Sequence, residues 1–408
     1  MHLTRTFKTV GRRAAVTGVL MSTLVAATGT TAQADPISDL LAQARSILAT
    51  APHGDPLKVV VTTKTSGAPS ITSTPASSDA SALQLITAAL KKSSTIGVDM
   101  AHPVKMSADS NDPYRKYQWA LDLFNAESRW KTSKGTGVVV AVVDTGVSGA
   151  HQDLDNRVLA GRDFIDPGTS AKDENGHGTH VAGIIAANAY NRLGIAGFAY
   201  KAKILPVRVL DETGAGDNAG VANGIVWAAQ KGADVINLSL GTTQSDSAIQ
   251  TAVAYAQSLN AVVIAAAGNA GCGLLLGAPT SYPAAYPGVL GVGAISRDRV
   301  VARYSSCGSW VDVVAPGSAI VSTMLTAADS GLGCTPGKRY CTLSGTSMAT
   351  PYAAATAALE IARLGGRYSQ SSIVSRLQST ATDLGPVGRD DDYGYGLISP
   401  YRMLAGLR

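Results

Sequence analysis

The sequence is poor in aromatic residues and in charge. Aromatic side chains make up 5% of its 408 residues and charged side chains 15%, whereas 45% of the residues are hydrophobic and 43 are glycine. A core of this composition must be built from Ala, Val, Ile and Leu, with close backbone approaches at glycine. The length and the apolar content fit one large α/β domain plus targeting and processing segments.

The main part of the chain has no excess of positive charge. The formal net charge is +5, but residues 1–108 hold 10 Lys and Arg against 5 Asp and Glu, and residues 109–408 hold 24 of each. The excess therefore belongs to the leader, and a basic surface for nucleic acid is not expected.

Long hydrophobic runs are lacking, apart from one near the N-terminus. Basic residues come first, an apolar run follows over residues 14–27, and a small-x-small cleavage site ends at Ala34. This is the layout of a secretory signal peptide, and the run is too short to span a bilayer. The pair Arg12-Arg13 also permits twin-arginine export. We expect residues 1–34 to be a signal peptide and the mature protein to be secreted, without a membrane span.

Residues 35–108 differ in composition from the rest of the chain. Helical patterns cover residues 37–48 and 82–91, a strand-like run covers 57–63, and a Ser/Thr/Ala/Pro-rich stretch covers 66–81. The segment carries no catalytic motif. It is either a small accessory or linker region or, if a hydrolase comes after it, a removable α+β pro-segment.

Apolar strands alternate with helical patterns from residue 109 onward. This rhythm predicts a mostly parallel central sheet with helices on both faces, a three-layer α/β domain over residues 109–408. In such sheets functional sites lie where strands end and helices begin. The predicted strands cover residues 138–143, 203–209, 234–240 and 261–267, and the predicted helices cover 178–187, 220–230 and 247–257.

Cysteine is also scarce. An even number of cysteines in a secreted chain favours disulfides, and three pairings of four are possible. We favour Cys334 with Cys341, which closes a short loop, and Cys272 with Cys307. A zinc site is not expected, because the chain has no C-x-x-C spacing near a histidine cluster.

Three residues in separate motifs could form a nucleophilic site. Asp144 ends a buried strand, where it is either a turn residue or a site carboxylate. His177 lies between two glycines at the start of a helical pattern, whereas His180, one turn on, faces the packed side and is expected to be structural. Ser347 opens another helical pattern among small residues. A serine attacks a carbonyl only if a base accepts its proton.

Asn269 follows a strand in a glycine-rich turn. It either adopts a left-handed turn conformation or points its NH2 group at a developing oxyanion. The second role needs another donor, which the backbone N–H of Ser347 at a helix start would supply.

These motifs together resemble a known family. The chain reads Asp-Thr-Gly at 144–146, His-Gly-Thr-His-Val-Ala-Gly at 177–183 and Ser-Gly-Thr-Ser-Met-Ala-Thr-Pro at 344–351. These are similar, in order, to the three signatures of subtilisin-type serine proteases, the subtilases. The resemblance runs from about residue 111 to the C-terminus, and one departure is Tyr352-Ala353-Ala354-Ala355, where the family commonly has His-Val-Ala-Gly.

The resemblance implies roles for the residues already singled out. Ser347 would be the nucleophile, His177 the general base and acid, and Asp144 the group that orients the imidazole, while Asn269 and the Ser347 N–H would bind the oxyanion. Two backbone edges would pair with a peptide substrate as an added strand. These edges are Gly214, Ala215 and Gly216, and Ser239, Leu240 and Gly241.

The resemblance to the thermitase-like branch also implies a structural calcium site. Carboxylate, amide and carbonyl oxygens are the ligands that Ca²⁺ requires. Without the resemblance, the aspartates concerned would be ordinary loop carboxylates. The implied site residues are Asp112, Asp153, Asn188, Asn191, Leu193 and Ile195.

The resulting hypothesis is a secreted, monomeric, self-processing endopeptidase. Residues 35–108 would be its propeptide and inhibitor, cut off near residues 105–110, and the segments at 274–276 and 281–283 suggest an apolar P1 preference. A narrow processing protease is the main alternative, although no acidic cluster of the kexin type lies near Ser239. An inactive binding protein would need a missing catalytic group, and an esterase would need the final glycine of the G-x-S-x-G elbow, which the chain lacks after Ser347.

Overall fold

The structure is a computed structural model that describes residues 36–51, 57–66, 69–101, 110–273, 278–326, 332–335 and 337–407. The predicted signal peptide, most of the predicted maturation region and residues 274–276 lie outside the described residues. Within them, no helix combines the length and the hydropathy needed to cross a membrane.

The N-terminal part is a small α+β unit, as predicted. Its three antiparallel strands lie in the order β2-β1-β3 and pack on two helices around Val59, Ile86 and Met100. Strand β2 falls in the Ser/Thr-rich stretch for which no strand was predicted, because every residue in it is exposed and leaves no apolar pattern. The elements are α1 (Pro36–Leu48), β1 (Lys58–Thr63), β2 (Ser70–Pro75), α2 (Asp79–Leu90) and β3 (Thr95–Met100).

The main domain is built on a seven-stranded parallel sheet, which confirms the predicted fold class. The strand order is β10-β9-β8-β7-β4-β6-β5. The strand pairings within this sheet are parallel, so the carboxyl ends of its strands meet at one edge. The strands are β4 (Val139–Asp144), β5 (Arg162–Asp163), β6 (Lys203–Arg208), β7 (Val235–Leu238), β8 (Val262–Ala266), β9 (Leu290–Ile295) and β10 (Val313–Pro316).

Helices cover both faces of this sheet. Helices α5 and α8 pack on one face and α6 and α7 on the other, and each face has its own apolar core of Val, Ile, Leu and Ala. A hairpin of β11 (Ile320–Thr323) and β12 (Tyr340–Leu343) lies beside α5. The helices are α3 (Trp119–Leu123), α4 (Ala126–Trp130), α5 (His177–Ala186), α6 (Asn218–Gln230), α7 (Ser247–Ser258), α8 (Thr346–Arg363), α9 (Gln370–Ser379) and α10 (Pro400–Ala405).

Helix α8 is buried over most of its length. The departure from the family pattern falls here: Tyr352 is 2% exposed, and its ring packs against the rings of Phe124 and Phe198. The next three residues, all alanine, are fully buried. An aromatic pocket therefore accommodates Tyr352, and α8 still packs against one face of the sheet.

Both favoured disulfide pairings are present. Cys272 is bonded to Cys307, and Cys334 to Cys341. The first bond joins the segment after β8 to the segment between β9 and β10, and the second ties Cys341 in β12 to the segment before that strand. Both therefore brace segments that lead to the carboxyl edge of the sheet.

Candidate active site

Asp144 is the last residue of β4 and is fully buried. Its Oδ1 accepts hydrogen bonds from the Thr145 N–H at 2.8 Å and from His177 Nδ1 at 2.8 Å. A carboxylate at the end of a buried strand has no structural partner in the apolar core behind it. Its partner is the imidazole, as expected for a residue that orients a catalytic histidine.

His177 is the first residue of α5, and the flanking glycines allow it to lie there. Gly176 has φ +108°, in the left-handed region that favours glycine. A Cβ on Gly178 would lie 2.1 Å from the carbonyl oxygen of Gly146, so only glycine lets α5 start against the end of β4. The His177 side chain is 18% exposed and borders the cleft, and because Nδ1 bonds to Asp144, Nε2 remains for a substrate or nucleophile.

The two histidines of this motif differ in electrostatics. Burial lowers the pKa of His177, but the charge and hydrogen bond of Asp144 and the charge of Asp173 together raise it above its ordinary value. Burial, followed by the charge of His177, lowers the pKa of His180 to about 3. His180 is fully buried and donates to the carbonyl of Cys341 at 3.1 Å. His180 is thus a neutral packing residue, as predicted.

Ser347 is the second residue of α8. Its hydroxyl donates to the carbonyl of Ser239 at 3.1 Å, and the Ser239 hydroxyl donates back to the carbonyl of Ser347 at 2.9 Å. The hydroxyl is thus engaged with the segment after β7 rather than with His177. Catalytic hydrogen bonds are often formed only when substrate is bound, so this arrangement is compatible with a nucleophile.

Asn269 is held beside Ser347 by its amide oxygen. This oxygen accepts from the Thr346 N–H at 2.9 Å and from the Thr346 hydroxyl at 3.0 Å. Its NH2 group is therefore left to donate. The Ser347 N–H lies in the first turn of α8, where backbone donors have no intrahelical acceptor. Both groups border a cavity of about 280 Å³.

The two predicted substrate edges line one cleft of about 830 Å³. All six edge residues, Gly214 to Gly216 and Ser239 to Gly241, border it together with His177. Asp211 shapes the first edge, because its Oδ1 accepts from the N–H and hydroxyl of Thr213 and from the Ala215 N–H. The smaller cavity at Ser347 is contiguous with this cleft, since both are lined by Leu240, Gly241 and Thr242.

Two contributors to this site were not predicted from the sequence. Thr145 and Asp173 hydrogen-bond to each other behind His177, at 2.9 Å between Oγ1 and Oδ1. The Thr145 hydroxyl also accepts from the Gly178 N–H at 3.0 Å. Thr145 lies inside a recognised motif, but nothing in the spacing of Asp173 distinguishes it from a loop aspartate.

The residues of the implied calcium site gather around residues 188–195, which we call the 188–195 loop. Asp112 is 4% exposed; its Oδ1 accepts from the N–H groups of Asn191 and Arg192, and its Oδ2 from the Tyr190 N–H. Asp153 is fully buried, and its Oδ1 accepts from Asn191 Nδ2 at 2.7 Å. The two carboxylates therefore hold the same loop.

Other predicted ligands contribute through their backbone. The Ile195 N–H donates to Asp153 Oδ2 at 2.9 Å, and the Leu193 N–H donates to Asn191 Oδ1 at 2.9 Å. Asn188 differs, because its side-chain amide donates to the Asp155 carbonyl while its N–H donates to the Asp153 carbonyl. Burial, followed in the same direction by the charge of Asp112, raises the pKa of Asp153 to about 6 against its hydrogen bonds.

Comparison with known proteins agrees with this geometry. The model of the subtilase family matches residues 135–396. The chain belongs to the subtilase family. It is a subtilisin-like serine protease.

Individual relatives of this subtilase are similar over most of its length. Thermitase of Thermoactinomyces vulgaris is 44% identical over 72% of this chain and 98% of its own. Subtilisin Savinase of Lederbergia lenta is 40% identical over 65% and 90%. Among solved structures, a protease of Pseudoalteromonas arctica PAMC 21717 is 32% identical with a TM-score of 0.64, over 73% of this chain and 99% of that one.

Proposed function

We propose that this subtilase is an endopeptidase that uses Ser347, His177 and Asp144 as a catalytic triad. The observation that carries the proposal is the hydrogen bond of 2.8 Å from His177 Nδ1 to the buried Asp144, which leaves Nε2 of this cleft residue unengaged. Ser347 borders the cavity that is contiguous with the same cleft. A neutral imidazole in that orientation can accept a proton from a serine.

The reaction proceeds through an acyl-enzyme. Ser347 Oγ attacks the peptide carbonyl as His177 Nε2 takes its proton, and Asp144 stabilises the imidazolium. Asn269 Nδ2 and the Ser347 N–H donate to the oxyanion. His177 then protonates the leaving amine, and water, activated by the same base, releases the acyl group.

The direct test is the loss of the nucleophile. Ser347→Ala should bind peptide substrates but fail to cleave them. Ser239→Ala, which removes the neighbouring hydroxyl and leaves the carbonyl that Ser347 contacts, should keep measurable turnover. Turnover by Ser347→Ala at the wild-type rate would exclude the proposed nucleophile.

Broad specificity with an apolar P1 preference is supported by the cavity at Ser347. Its described lining contains no Asp, Glu, Lys or Arg and includes Ala266, Ala270 and Pro279. Main-chain pairing with both cleft edges would supply affinity without selecting side chains. Cleavage-site profiling on a denatured protein mixture should give scattered cuts after apolar residues, whereas a single repeated motif would indicate a processing protease.

Secretion and self-processing are also part of the proposal. The N-terminal α+β unit meets the main domain through Arg299, which donates to the carbonyls of Ala49 and Ala51, and through the Arg402–Asp79 ion pair. None of these residues lines the cleft. Ala49 also packs against the apolar core of the main domain. Release would therefore require cutting the connecting chain and breaking these polar and apolar contacts. The Ser347→Ala precursor should stay at full length while the wild type matures, and equal processing of both would exclude self-cleavage.

A structural calcium ion fits the donors around the 188–195 loop. Within the described hydrogen bonds, Asp112 and Asp153 each have one oxygen that accepts a single bond, which leaves a lone pair for a cation. Asp112, Asp153 and Asn191 would hold the ion with carbonyls of the loop, and the ion would offset the two buried charges. Calorimetric titration should show Ca²⁺ binding that Asp112→Asn weakens, and equal binding by the variant would exclude this site.

A further inference from the structure

A second buried carboxylate lies behind the proposed triad. Asp173 is 1% exposed and precedes His177 by four residues. Its Oδ1 accepts from the Thr145 hydroxyl at 2.9 Å and from the N–H groups of Asn175 and Gly176 at 3.0 and 2.8 Å. Its Oδ2 accepts from the N–H and hydroxyl of Thr179 at 2.9 and 2.6 Å. Five donors thus converge on one side chain.

These donors come from both sides of the histidine. Asn175 and Gly176 precede His177, and Thr179 lies after it in the first turn of α5. Thr145 comes directly after Asp144, and its hydroxyl also accepts from the Gly178 N–H. Asp173 therefore connects the strand end that carries the proposed orienting carboxylate with the helix start that carries the proposed base.

We infer that Asp173 is a positioning residue of the protease reaction, whose carboxylate holds the start of α5 against the end of β4 and thereby keeps His177 on Asp144. The inference rests on the proposed triad. Displacement of a catalytic group by about 1 Å can cost a factor of about a hundred in rate, so a carboxylate that fixes this distance affects turnover without touching substrate. Asp173 borders neither substrate edge, so its effect should fall on kcat rather than on KM.

The hydrogen bonds also indicate that Asp173 is ionised. The five hydrogen bonds occupy the lone pairs of both carboxylate oxygens, so no position is left for a proton on Asp173. Burial raises the pKa of Asp173, and the hydrogen bonds from Thr179, Gly176 and Thr145 oppose that rise without cancelling it. Its negative charge adds to that of Asp144 in favouring the imidazolium form of His177.

Other titratable groups lie nearby, and their influence must be separated from this effect. His180 lies on the same helix as His177, and Lys172, Glu174, Glu212 and Arg339 line the pocket next to Asp173. The raised pKa of His177 comes from the charge and hydrogen bond of Asp144 and the charge of Asp173 rather than from these five side chains.

The adjacent Glu174 supplies a matched control. Its side chain is 45% exposed and pairs with Arg208 Nη2 at 2.7 Å, and Arg208 keeps its buried partner Asp163. Glu174→Gln removes the same charge from the same loop while leaving the donors to Asp173 in place. A partly exposed ion pair of this kind contributes little to the stability of the folded state.

The experiment compares Asp173→Asn, Glu174→Gln and wild type as mature enzymes, across pH, with a chromogenic peptide. Asp173→Asn should lower kcat about tenfold with little change in KM. It should also move the acidic limb of the kcat/KM profile to lower pH by roughly half a unit, because a negative charge near the imidazolium is lost. Glu174→Gln should stay within about twofold of wild type with an unmoved limb.

Thr145→Val keeps the carboxylate and removes one hydroxyl bridge, so it covers the case in which Asp173→Asn fails to fold. It should lower kcat and leave the acidic limb in place. Wild-type kcat in a folded Asp173→Asn enzyme, or in Thr145→Val if Asp173→Asn does not fold, would overturn the inference. Ser347→Ala in the same assay tells the two failures apart. If the Asp173 inference is overturned and Ser347→Ala is inactive, only the role of Asp173 fails. If Ser347→Ala is active, the proposed triad itself fails.

Discussion

Two regions of this subtilase each place a pair of buried carboxylates against a segment of chain. They differ in what balances the negative charge of the pair. At the carboxyl edge of the sheet, Asp144 and Asp173 face His177, which can become positive and whose pKa is raised. At the 188–195 loop, Asp112 accepts bonds from N–H groups and Asp153 from N–H groups and the Tyr340 hydroxyl. In the described structure neither forms an ion pair with a Lys or Arg side chain.

The two regions differ in whether they need a charge from outside the chain. The edge that carries the proposed triad contains its own titratable partner, His177, so the chain itself can balance the charge of its carboxylates. At the 188–195 loop the mutual repulsion of two carboxylates contributes to the raised pKa of Asp153, about 6, after burial. A bound divalent cation would remove that repulsion. Activity should therefore depend on the first pair, and stability on an ion at the second.

The largest expected difference between the two regions appears in kcat when one aspartate of each is neutralised. Asp144→Asn should lower kcat by about a thousandfold or more, because the imidazolium loses its stabilising charge. Asp153→Asn should leave kcat of the folded enzyme nearly unchanged. Initial rates on a chromogenic peptide measure both, and a substantial kcat in Asp144→Asn would remove the contrast between the regions.

The next effect concerns the proposed oxyanion donor, Asn269. Asn269→Ala should lower kcat about a hundredfold with a small change in KM; the size follows the loss of one such donor in subtilisins, the family in which this effect is best known. Asn269→Asp, which keeps the oxygen that holds Thr346 but loses the NH2 group, should be at least as slow. Wild-type turnover by either variant would show that Asn269 only braces the turn.

The pH dependence of activity should follow His177. Only the neutral imidazole accepts the serine proton, and the pKa of His177 is raised, so the acidic limb of kcat/KM should lie above about pH 6.5. Below it, activity should fall about tenfold per pH unit. Stopped assays at constant ionic strength test this, and a limb well below the ordinary histidine pKa would mean that the aspartates do not act on His177 as described.

The smallest effect is calcium-dependent stability. If free calcium is about a hundred times its dissociation constant, binding stabilises the folded state by about 2.7 kcal/mol, so a chelator should lower Tm by about 5 °C. Asp153→Asn should abolish this difference. Asp155→Asn, two residues on and bonded to the Asn156 side chain, should retain it. An identical chelator effect in both variants would place the ion elsewhere.

The fold could be predicted where the apolar pattern is continuous. Strand β4 and helix α5 lie within one residue of their predicted bounds, because β4 is almost entirely apolar and α5 begins at a glycine-flanked motif. Strand β9 was not predicted, since Gly291 and Gly293 interrupt its apolar run. These glycines are required by packing: a Cβ on Gly291 would lie 1.9 Å from the carbonyl of Trp310.

The candidate site could be predicted only in part, for a different reason. Asp144, His177, Asn269 and Ser347 lie in motifs whose residue types match their chemistry. The structure places His177 at the cleft, bonded to the buried Asp144, and places Asn269 and Ser347 at the contiguous cavity. Asp173 acts through five hydrogen bonds that exist only after folding. A sequence read one residue at a time does not show that convergence.

The most direct measurement is covalent labelling of the mature enzyme with a fluorophosphonate, followed by peptide mapping. We expect one adduct per chain, on the peptide that contains Ser347, and strongly reduced labelling in His177→Ala. No such loss is expected in Asp153→Asn, which lies in the other region. An adduct on a different serine, or undiminished labelling without His177, would contradict the assignment of Ser347 and its base.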